Sequence, residues 1–198
     1  MAAPGLRVIA GSVRSRRLVV PKGDQVRPTK DRVKAAIFSA LESRGLVRDA
    51  VVLDLFAGSG ALGLEALSRG AASATLVEHL PAALEAIREN VAACKFDKEA
   101  RIVARSVGTF LTSCVSTFDL AFIDPPYEMT NVEVEQLVER LTPLVPGGTL
   151  VIERPTRVQP TDKPEIDSVG DWQESWRRTF GDTLVLFFGP GSSADGLS

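Results

Sequence analysis

The chain has 198 residues, of which 44% are hydrophobic and 24% are charged, and this balance predicts one compact domain with a small appendage. The sequence has no apolar run near the ~18 residues of a membrane span and no apolar stretch typical of a secretory signal at its start. We therefore expect a soluble, cytoplasmic protein. The single histidine, His79, argues against a Ser-His-Asp triad and a histidine-rich metal site. The chemistry is expected to use carboxylates, backbone groups and a cofactor, and no metal.

The net charge of −2 hides an uneven distribution along the chain. Residues 1–34 contain nine basic side chains and two aspartates, a net charge of +7, so the rest of the chain carries −9. A basic arm on an acidic body is typical of a protein that binds a polyanion at one end. A solvated tail is the alternative, but the apolar residues in VIAG and RRLVVP favour an arm that folds. Four arginines are the candidates for phosphate contacts: Arg14, Arg16, Arg17 and Arg27.

From residue 30 to residue 153 the predicted elements alternate between helices and strands. Thr29 is the expected N-cap of an amphipathic helix with four apolar residues on one face: Val33, Ile37, Ala40 and Leu41. An apolar strand over 51–56 leads through a glycine turn into a helix that Gly70 ends. A strand over 74–78 follows, and Pro81 then starts a helix with four buried positions: Leu84, Ile87, Val91 and Cys94. The pattern continues with strands over 101–104, 118–123 and 148–153 and a helix over 132–141.

The alternation ends after residue 153. A proline-rich polar stretch over 154–171 predicts a loop, and two segments separated by Gly181-Asp182 predict an antiparallel hairpin at the sheet edge. Trp172 and Trp176 have a same-face spacing on its first strand, so we expect both to pack within the hairpin. The composition of residues 191–198 is typical of a disordered tail. The whole pattern predicts an α/β fold with a mainly parallel, seven-stranded sheet and a ligand site at the carboxyl ends of its strands.

A glycine motif marks the turn between the first strand and the helix that follows it. Gly58, Gly60 and Gly63 form the pattern G-x-G-x-x-G, in which the backbone can approach a ligand closely. Asp54, near the strand end, can organise the turn and reach an amino group of the ligand. Glu78, at the end of the next strand, is placed to accept hydrogen bonds from both hydroxyls of a ribose. The glycines alone are also compatible with a nicotinamide dinucleotide or with a turn that binds nothing.

The second motif is Asp124-Pro125-Pro126-Tyr127, directly after the fourth predicted strand. The amino group of a nucleobase is a poor nucleophile because its lone pair is conjugated with the ring. The carboxylate of Asp124 and the carbonyl of Pro125 can each accept one of its N–H bonds and so direct the lone pair toward a sulfonium methyl. The prolines stiffen this acceptor pair, and Tyr127 offers a stacking face for an unstacked base. This tetrapeptide at a strand end favours methyl transfer over a simple turn.

Together, DLFAGSG and DPPY are similar to the motifs of Rossmann-like amino-methyltransferases. The upstream segments RVIAGSVRSRRLVVP and VRPTKDRVKAAIFSAL resemble the RsmD family of bacterial 16S rRNA guanine-N2 methyltransferases, and the resemblance covers about residues 7–153. It implies methyl transfer from S-adenosylmethionine to guanine 966 of 16S rRNA, by a monomer that acts on the small ribosomal subunit or its assembly intermediate. It also implies an RNA-binding arm or hairpin over 1–34, a methyltransferase domain over 35–190 and a tail over 191–198.

The resemblance further implies roles for individual residues. The base would contact the tetrapeptide: Asp124, Pro125, Pro126 and Tyr127. The cofactor would contact eight residues: Asp54, Phe56, Gly58, Gly60, Glu78, His79, Ser106 and Asp124. One departure from the family pattern is visible, because Arg105-Ser106 stands where such enzymes often place an acidic residue for the adenine amine. We expect Ser106 or the backbone to make that contact.

Two other functions are compatible with the same motifs. DNA adenine-N6 or protein glutamine-N5 methylation would use the same mechanism, because all three substrates present a planar amine. The basic arm disfavours a protein substrate, and the small size without a sequence-reading domain disfavours DNA. A non-catalytic RNA-binding assembly factor is the alternative of another class, and the intact Asp124 and Tyr127 argue against it.

Overall fold

The computed structural model of the chain describes residues 6–21, 28–157, 166 and 170–191. Arg27 and the predicted tail beyond residue 191 lie outside the described residues. The helices are α1 (Pro28–Glu42), α2 (Ala61–Ser68), α3 (Pro81–Cys94), α4 (Val107–Ser113) and α5 (Asn131–Leu141), and a 3-10 turn spans Thr142–Leu144. The strands are β1 (Val51–Leu55), β2 (Ser73–Glu78), β3 (Ala100–Ala104), β4 (Leu120–Ile123), β5 (Thr149–Pro155), β6 (Trp172–Phe180) and β7 (Thr183–Pro190). Among the described helices, none is long and apolar enough to cross a bilayer.

The seven strands form one mixed sheet in the order β3-β2-β1-β4-β5-β7-β6. Strands β1 to β5 are parallel, whereas β7 pairs antiparallel with both β5 and β6. The chain starts in the centre at β1, proceeds to one edge through β2 and β3, and then crosses over to β4. The strand order therefore reverses between β1 and β4, and such a switch point is where open α/β sheets bind ligands. The predicted fold class and the C-terminal hairpin are confirmed.

Two apolar clusters cover the two faces of the sheet. On one face, α1, α2 and α3 pack through residues such as Ile37, Leu64 and Ile87, which are all fully buried. On the other face, α4 and α5 pack through residues such as Phe110 and Val138. The apolar face predicted for α3 is confirmed. Helix α1 begins at Pro28, so Thr29 lies inside its first turn and is not the N-cap that we predicted, in keeping with the tolerance of proline at a first helical position.

Helix α4 is absent from the sequence-based prediction. Its seven residues, VGTFLTS, include glycine, valine and two threonines, which have low intrinsic helix propensity. The helix instead depends on burial of Val107, Phe110 and Leu111 against the sheet and on the hydroxyl of Ser106, which accepts a hydrogen bond from the Thr109 N–H. Tertiary packing has outweighed local preference here, and a window of seven residues is too short to show a helical period.

The two tryptophans lie on opposite faces of the sheet, contrary to our prediction. A β-bulge between Glu174 and Trp176 shifts the register of β6 against β7. Because one extra residue reverses the alternation of side chains, Trp172 belongs to the α4–α5 side and Trp176 packs on Phe187 at the α1 side. Trp172 also donates from its indole N–H to the hydroxyl of Thr142.

The N-terminal segment 6–21 folds onto the body of the protein. A bridge between Arg7 and Arg17 makes it a short antiparallel hairpin. Leu6, Val8 and Leu18 are buried in the same apolar cluster as α1 and α2. The predicted division at residue 34 therefore falls within α1, and the described part of the arm shares the core of the sheet domain.

Candidate functional site

The carboxyl ends of β2, β1 and β4 lie side by side at the switch point. Leu55 is paired with Val77 on one side and with Ile123 on the other. One residue further along each strand, Glu78, Phe56 and Asp124 are therefore neighbours in a row across the sheet. The register brings the glycine motif and the DPPY motif to one edge, although they are far apart in the sequence.

Glycine is favoured at the three positions of the motif for different structural reasons. Gly58 and Gly60 have φ angles of 56° and 75°, in the left-handed region that favours glycine. Gly63 has an ordinary φ, but a Cβ there would overlap the side chain of Leu76 and approach Oδ2 of Asp54 to 3.3 Å. Phe56 also has a positive φ, 60°, which a bulky side chain rarely adopts. Such a conformation costs free energy and is found mainly where a functional loop needs it.

Asp54 lies beneath the glycine turn, with only 2% of its surface exposed. Its Oδ2 atom accepts a hydrogen bond of 2.9 Å from the Gly63 N–H, so the carboxylate organises the turn as predicted. Burial raises the pKa of Asp54 to about 7; the Gly63 N–H opposes this shift, and the charges of Asp124 and Glu78 add to it. The register of β1, β2 and β4 places three carboxyl groups, those of Asp54, Glu78 and Asp124, near this edge.

Glu78 holds the loop from the β2 side. Its Oε2 atom accepts from the Gly58 N–H at 3.0 Å, and its Oε1 atom accepts from the N–H groups of His79 and Leu80 at 2.6 and 2.9 Å. Only 6% of the residue is exposed. The carboxylate thus fixes the loop backbone, a role that we did not predict. Oε1 already accepts two N–H groups, whereas Oε2 accepts one and retains acceptor capacity for a further donor.

The DPPY tetrapeptide follows β4 as a short, largely exposed segment. Pro125 is buried, whereas Asp124, Pro126 and Tyr127 are exposed, Tyr127 to 59%. The carbonyl of Pro126 accepts a hydrogen bond from the Met129 N–H, which closes a turn ahead of α5. An exposed aromatic ring offers a face on which a planar ligand can stack.

An open pocket of about 530 Å³ lies next to this segment. It is lined by residues from the ends of β5, the β6–β7 turn and the tetrapeptide: Tyr127, Pro155, Thr156, Arg157, Gly181 and Asp182. The sequence-based prediction missed Thr156 and Arg157, because they belong to a stretch that we interpreted only as a loop. Arg157 lies two residues beyond the end of β5, and a basic residue so near a strand's carboxyl end was the available signal.

The remaining predicted site residues differ in their position and in their exposure. His79 is exposed, with Nδ1 at 3.5 Å from Oε1 of Glu78. Ser106 follows β3, and its hydroxyl is 2.9 Å from the hydroxyl of Thr109 as part of the α4 cap. Arg14, Arg16 and Arg17 have exposed side chains in the hairpin of the arm. The contacts that we predicted for these residues stay predictions.

Comparisons with known proteins agree on one family. The family model described as conserved hypothetical protein 95 matches residues 6–189. Ribosomal RNA small subunit methyltransferase D of Escherichia coli K12 is 43% identical over 128 residues, which span 65% of this chain and 63% of that relative. YlbH of Bacillus subtilis, provisionally named an rRNA methyltransferase, is 32% identical over 92% of this chain and 98% of its own length.

A solved structure supports the same assignment. The Escherichia coli protein yhhF, provisionally described as a methyltransferase, superimposes with a TM-score of 0.79 at 32% identity. The match covers 94% of this chain and 98% of that one. The family model spans residues 6–189, and the matches to YlbH and yhhF cover 92% and 94% of the chain. The chain therefore belongs to the conserved hypothetical protein 95 family, which is the RsmD family that its motifs resemble.

Proposed function

We propose that the chain transfers a methyl group from S-adenosylmethionine to the N2 amine of a guanine in 16S rRNA, with guanine 966 as the target. One observation carries the proposal: the strand register places Asp124 and the rest of the DPPY segment beside the glycine turn. The names of the relatives support rRNA as the substrate class. The exocyclic amine is supported by the acceptor groups of the tetrapeptide.

The proposed mechanism depends on how Asp124 and Pro125 hold the amine. The Asp124 carboxylate accepts one N–H and the Pro125 carbonyl accepts the other, so the nitrogen lone pair is directed toward the methyl donor. Pro125 is buried, its φ is restricted by its own ring and its ψ is restricted by the following Pro126, so its carbonyl keeps one direction. Positioning of this kind is the main contribution of the protein, because the donor itself supplies the reactive methyl group.

The target base would leave its stack and lie against Tyr127. Stacking on an aromatic ring is worth about 1–3 kcal/mol per base, comparable to the few kcal/mol needed to extrude a base. The adjoining pocket has room for the sugar and phosphate of the extruded nucleotide, and Arg157 provides a cation at its rim. The pocket and the tetrapeptide together form the proposed acceptor side of the site.

The glycine turn fits the proposed cofactor. A Cβ placed on Gly58 would meet the Phe56 carbonyl oxygen at 3.9 Å and nothing closer, so the loop borders open space. S-adenosylmethionine supplies an electrophilic sulfonium methyl when bound. We assign its ribose to Glu78, an amino group to Asp54, and its adenine to the neighbourhood of His79 and Ser106. Phe56 and Gly60 shape the loop around it.

Replacement of Glu78 tests the cofactor side. We expect Glu78→Ala to weaken S-adenosylmethionine binding by about tenfold or more, because losing hydrogen bonds to a charged group costs about 1.5–3 kcal/mol. The Gly58 N–H loses its acceptor in the same variant, so the loop is loosened as well. Calorimetry with the purified protein measures the effect. An affinity equal to that of the wild type would remove Glu78 from the cofactor site.

The exposed arginines of the arm are the proposed RNA-binding residues. We expect the triple variant Arg14→Ala, Arg16→Ala, Arg17→Ala to bind RNA more weakly at every sequence, because phosphate contacts carry no sequence information. The log–log salt slope should flatten by somewhat under ~1 for each phosphate that the variant no longer neutralises. S-adenosylmethionine binding should be unchanged, because in the described part of the chain backbone hydrogen bonds and buried apolar residues hold the arm on the protein, and the three arginine side chains do not.

The measurement is RNA or small-subunit binding across a salt series, with a thermal melt to confirm folding. A folded triple variant with the wild-type salt slope would contradict the assignment and move RNA binding to another basic surface.

Product analysis tests the reaction itself. The protein is incubated with methyl-labelled S-adenosylmethionine and, separately, with unmodified 16S rRNA, small subunits, DNA and protein. We expect labelled N2-methylguanine at position 966 in the rRNA or the subunit. Label in N6-methyladenine of DNA or in glutamine would support the competing enzyme functions. Binding to RNA without any transfer would support an assembly factor.

A further inference from the structure

Asn90 is a buried polar side chain on the inner face of α3, with 1% of its surface exposed. Its Oδ1 atom accepts from the Val19 N–H at 2.7 Å. Its Nδ2 group donates to the carbonyls of Val19 and Ser59, both at 2.9 Å. Two donors and one acceptor are thus all used, and the reversed amide would place like groups against each other, so the network determines the orientation.

The partners of Asn90 belong to two different parts of the molecule. Val19 lies in the N-terminal arm, 71 residues away along the chain. Ser59 lies between Gly58 and Gly60, at the centre of the glycine turn, where both neighbours have positive φ angles. The hydrogen bond to Ser59 therefore restrains the backbone between two glycines, the residue type with the greatest conformational freedom.

The arm also forms hydrogen bonds with α2, the helix that follows the glycine turn. The N–H groups of Ile9 and Ala10 donate to the Glu65 carboxylate on α2 at 2.7 and 3.0 Å. The Ser12 N–H donates to the Ser68 carbonyl, and the Ser68 hydroxyl donates to the Ala10 carbonyl. The arm thus contacts α2 directly and reaches the turn at the start of α2 through Asn90.

We infer that Asn90 is a positioning residue of the cofactor site, which ties the N-terminal arm to the glycine turn through Val19 and Ser59. The inference rests on the proposed function, because it takes the turn as the place where S-adenosylmethionine binds. Without the amide, the glycine turn has more conformations available. The conformation that binds S-adenosylmethionine is then present in a smaller fraction of the molecules, and the apparent affinity falls in proportion to that fraction.

The direct test is Asn90→Ala, with Val91→Ala as the matched control. Val91 is buried on the same helix and in the core cluster beneath the turn, and its side chain has no part in the hydrogen-bond network. We expect Asn90→Ala to bind S-adenosylmethionine about tenfold more weakly, with a matching rise in its KM and kcat at saturation within about threefold of wild type. The control should stay within about twofold in affinity.

Hydrogen exchange provides a readout that loss of stability alone does not reproduce. Without cofactor, the Asn90→Ala protein should exchange faster in two separated segments, 16–20 and 57–62. In Val91→Ala, any change in the exchange rate should be the same in these two segments as in the rest of the protein. Similar exchange of both segments in the two variants would overturn the inference.

A second variant acts from the arm, for the case in which Asn90→Ala does not fold. Val19→Pro removes the N–H that donates to Asn90, at a residue that is 39% exposed. We expect about a threefold loss of cofactor affinity, whereas Val19→Ala keeps the N–H and should stay near wild type. If the wild type binds and both Asn90→Ala and Val19→Pro match their controls, the inference is wrong and the proposed function stands. If the wild type does not bind S-adenosylmethionine, the inference and the proposed function both fail.

Discussion

Replacement of Asp124 by alanine should abolish methyl transfer while leaving S-adenosylmethionine binding nearly intact. The carboxylate lies at the carboxyl end of β4, where we assign its main role to the substrate amine. The cofactor contact that the family resemblance also implies for Asp124 is expected to contribute little to cofactor affinity. Without it, one N–H of the amine has no acceptor and the lone pair is no longer directed at the donor. We expect a loss of at least about 100-fold in turnover, equivalent to about 2.7 kcal/mol in the barrier.

Turnover with small subunits and calorimetry with the cofactor check this prediction together. Asp124→Asn serves as the matched control, because it keeps the shape and one acceptor oxygen but loses the charge, so it should retain more activity than alanine. More than about a tenth of the wild-type rate in Asp124→Ala, a barrier change below ~1.4 kcal/mol, would remove Asp124 from the central role.

The second large effect is expected from Glu65→Ala, and it is a loss of stability, because Glu65 is a structural residue. Its side chain is fully buried and forms ion pairs with Lys34 at 3.2 Å and with Arg69 at 2.7 Å. Burial lowers the pKa of Lys34, while the Glu65 charge acts to raise it. Glu65→Ala would leave these two cations without their shared partner and remove the acceptor for the arm. Breaking a buried pair in this way costs about 3–5 kcal/mol.

Thermal and denaturant unfolding measure this loss of stability. Glu42→Ala is the control, because Glu42 pairs with the same Arg69 but its side chain is 47% exposed, and exposed pairs contribute about 0–1 kcal/mol. We expect a large decrease in the free energy of unfolding for Glu65→Ala and little change for Glu42→Ala. Equal effects of the two substitutions would show that the buried network does not stabilise the arm and α2.

Much of the fold and of the candidate site follows from local patterns in the sequence. The alternation of apolar strands with amphipathic helices, the proline at the start of α3 and the hairpin at the sheet edge are short-range features, and each was predicted correctly. The positions of Asp54, Glu78 and Asp124 at strand ends were also predictable, because the carboxyl ends of parallel strands share one edge. By itself, then, the sequence determined the sheet, the glycine turn and the carboxylates around it.

The tertiary structure alone decided the features that depend on residues distant in the chain. The bulge that separates Trp172 from Trp176, the packing that makes α4 a helix, and the pocket beside Tyr127 have no local period or motif. The docking of the arm on Glu65 and Asn90 connects residues that are 55 to 71 positions apart. A buried polar side chain reveals its purpose only when its partners are known, because its hydrogen bonds must be satisfied by whichever backbone groups the fold brings to it.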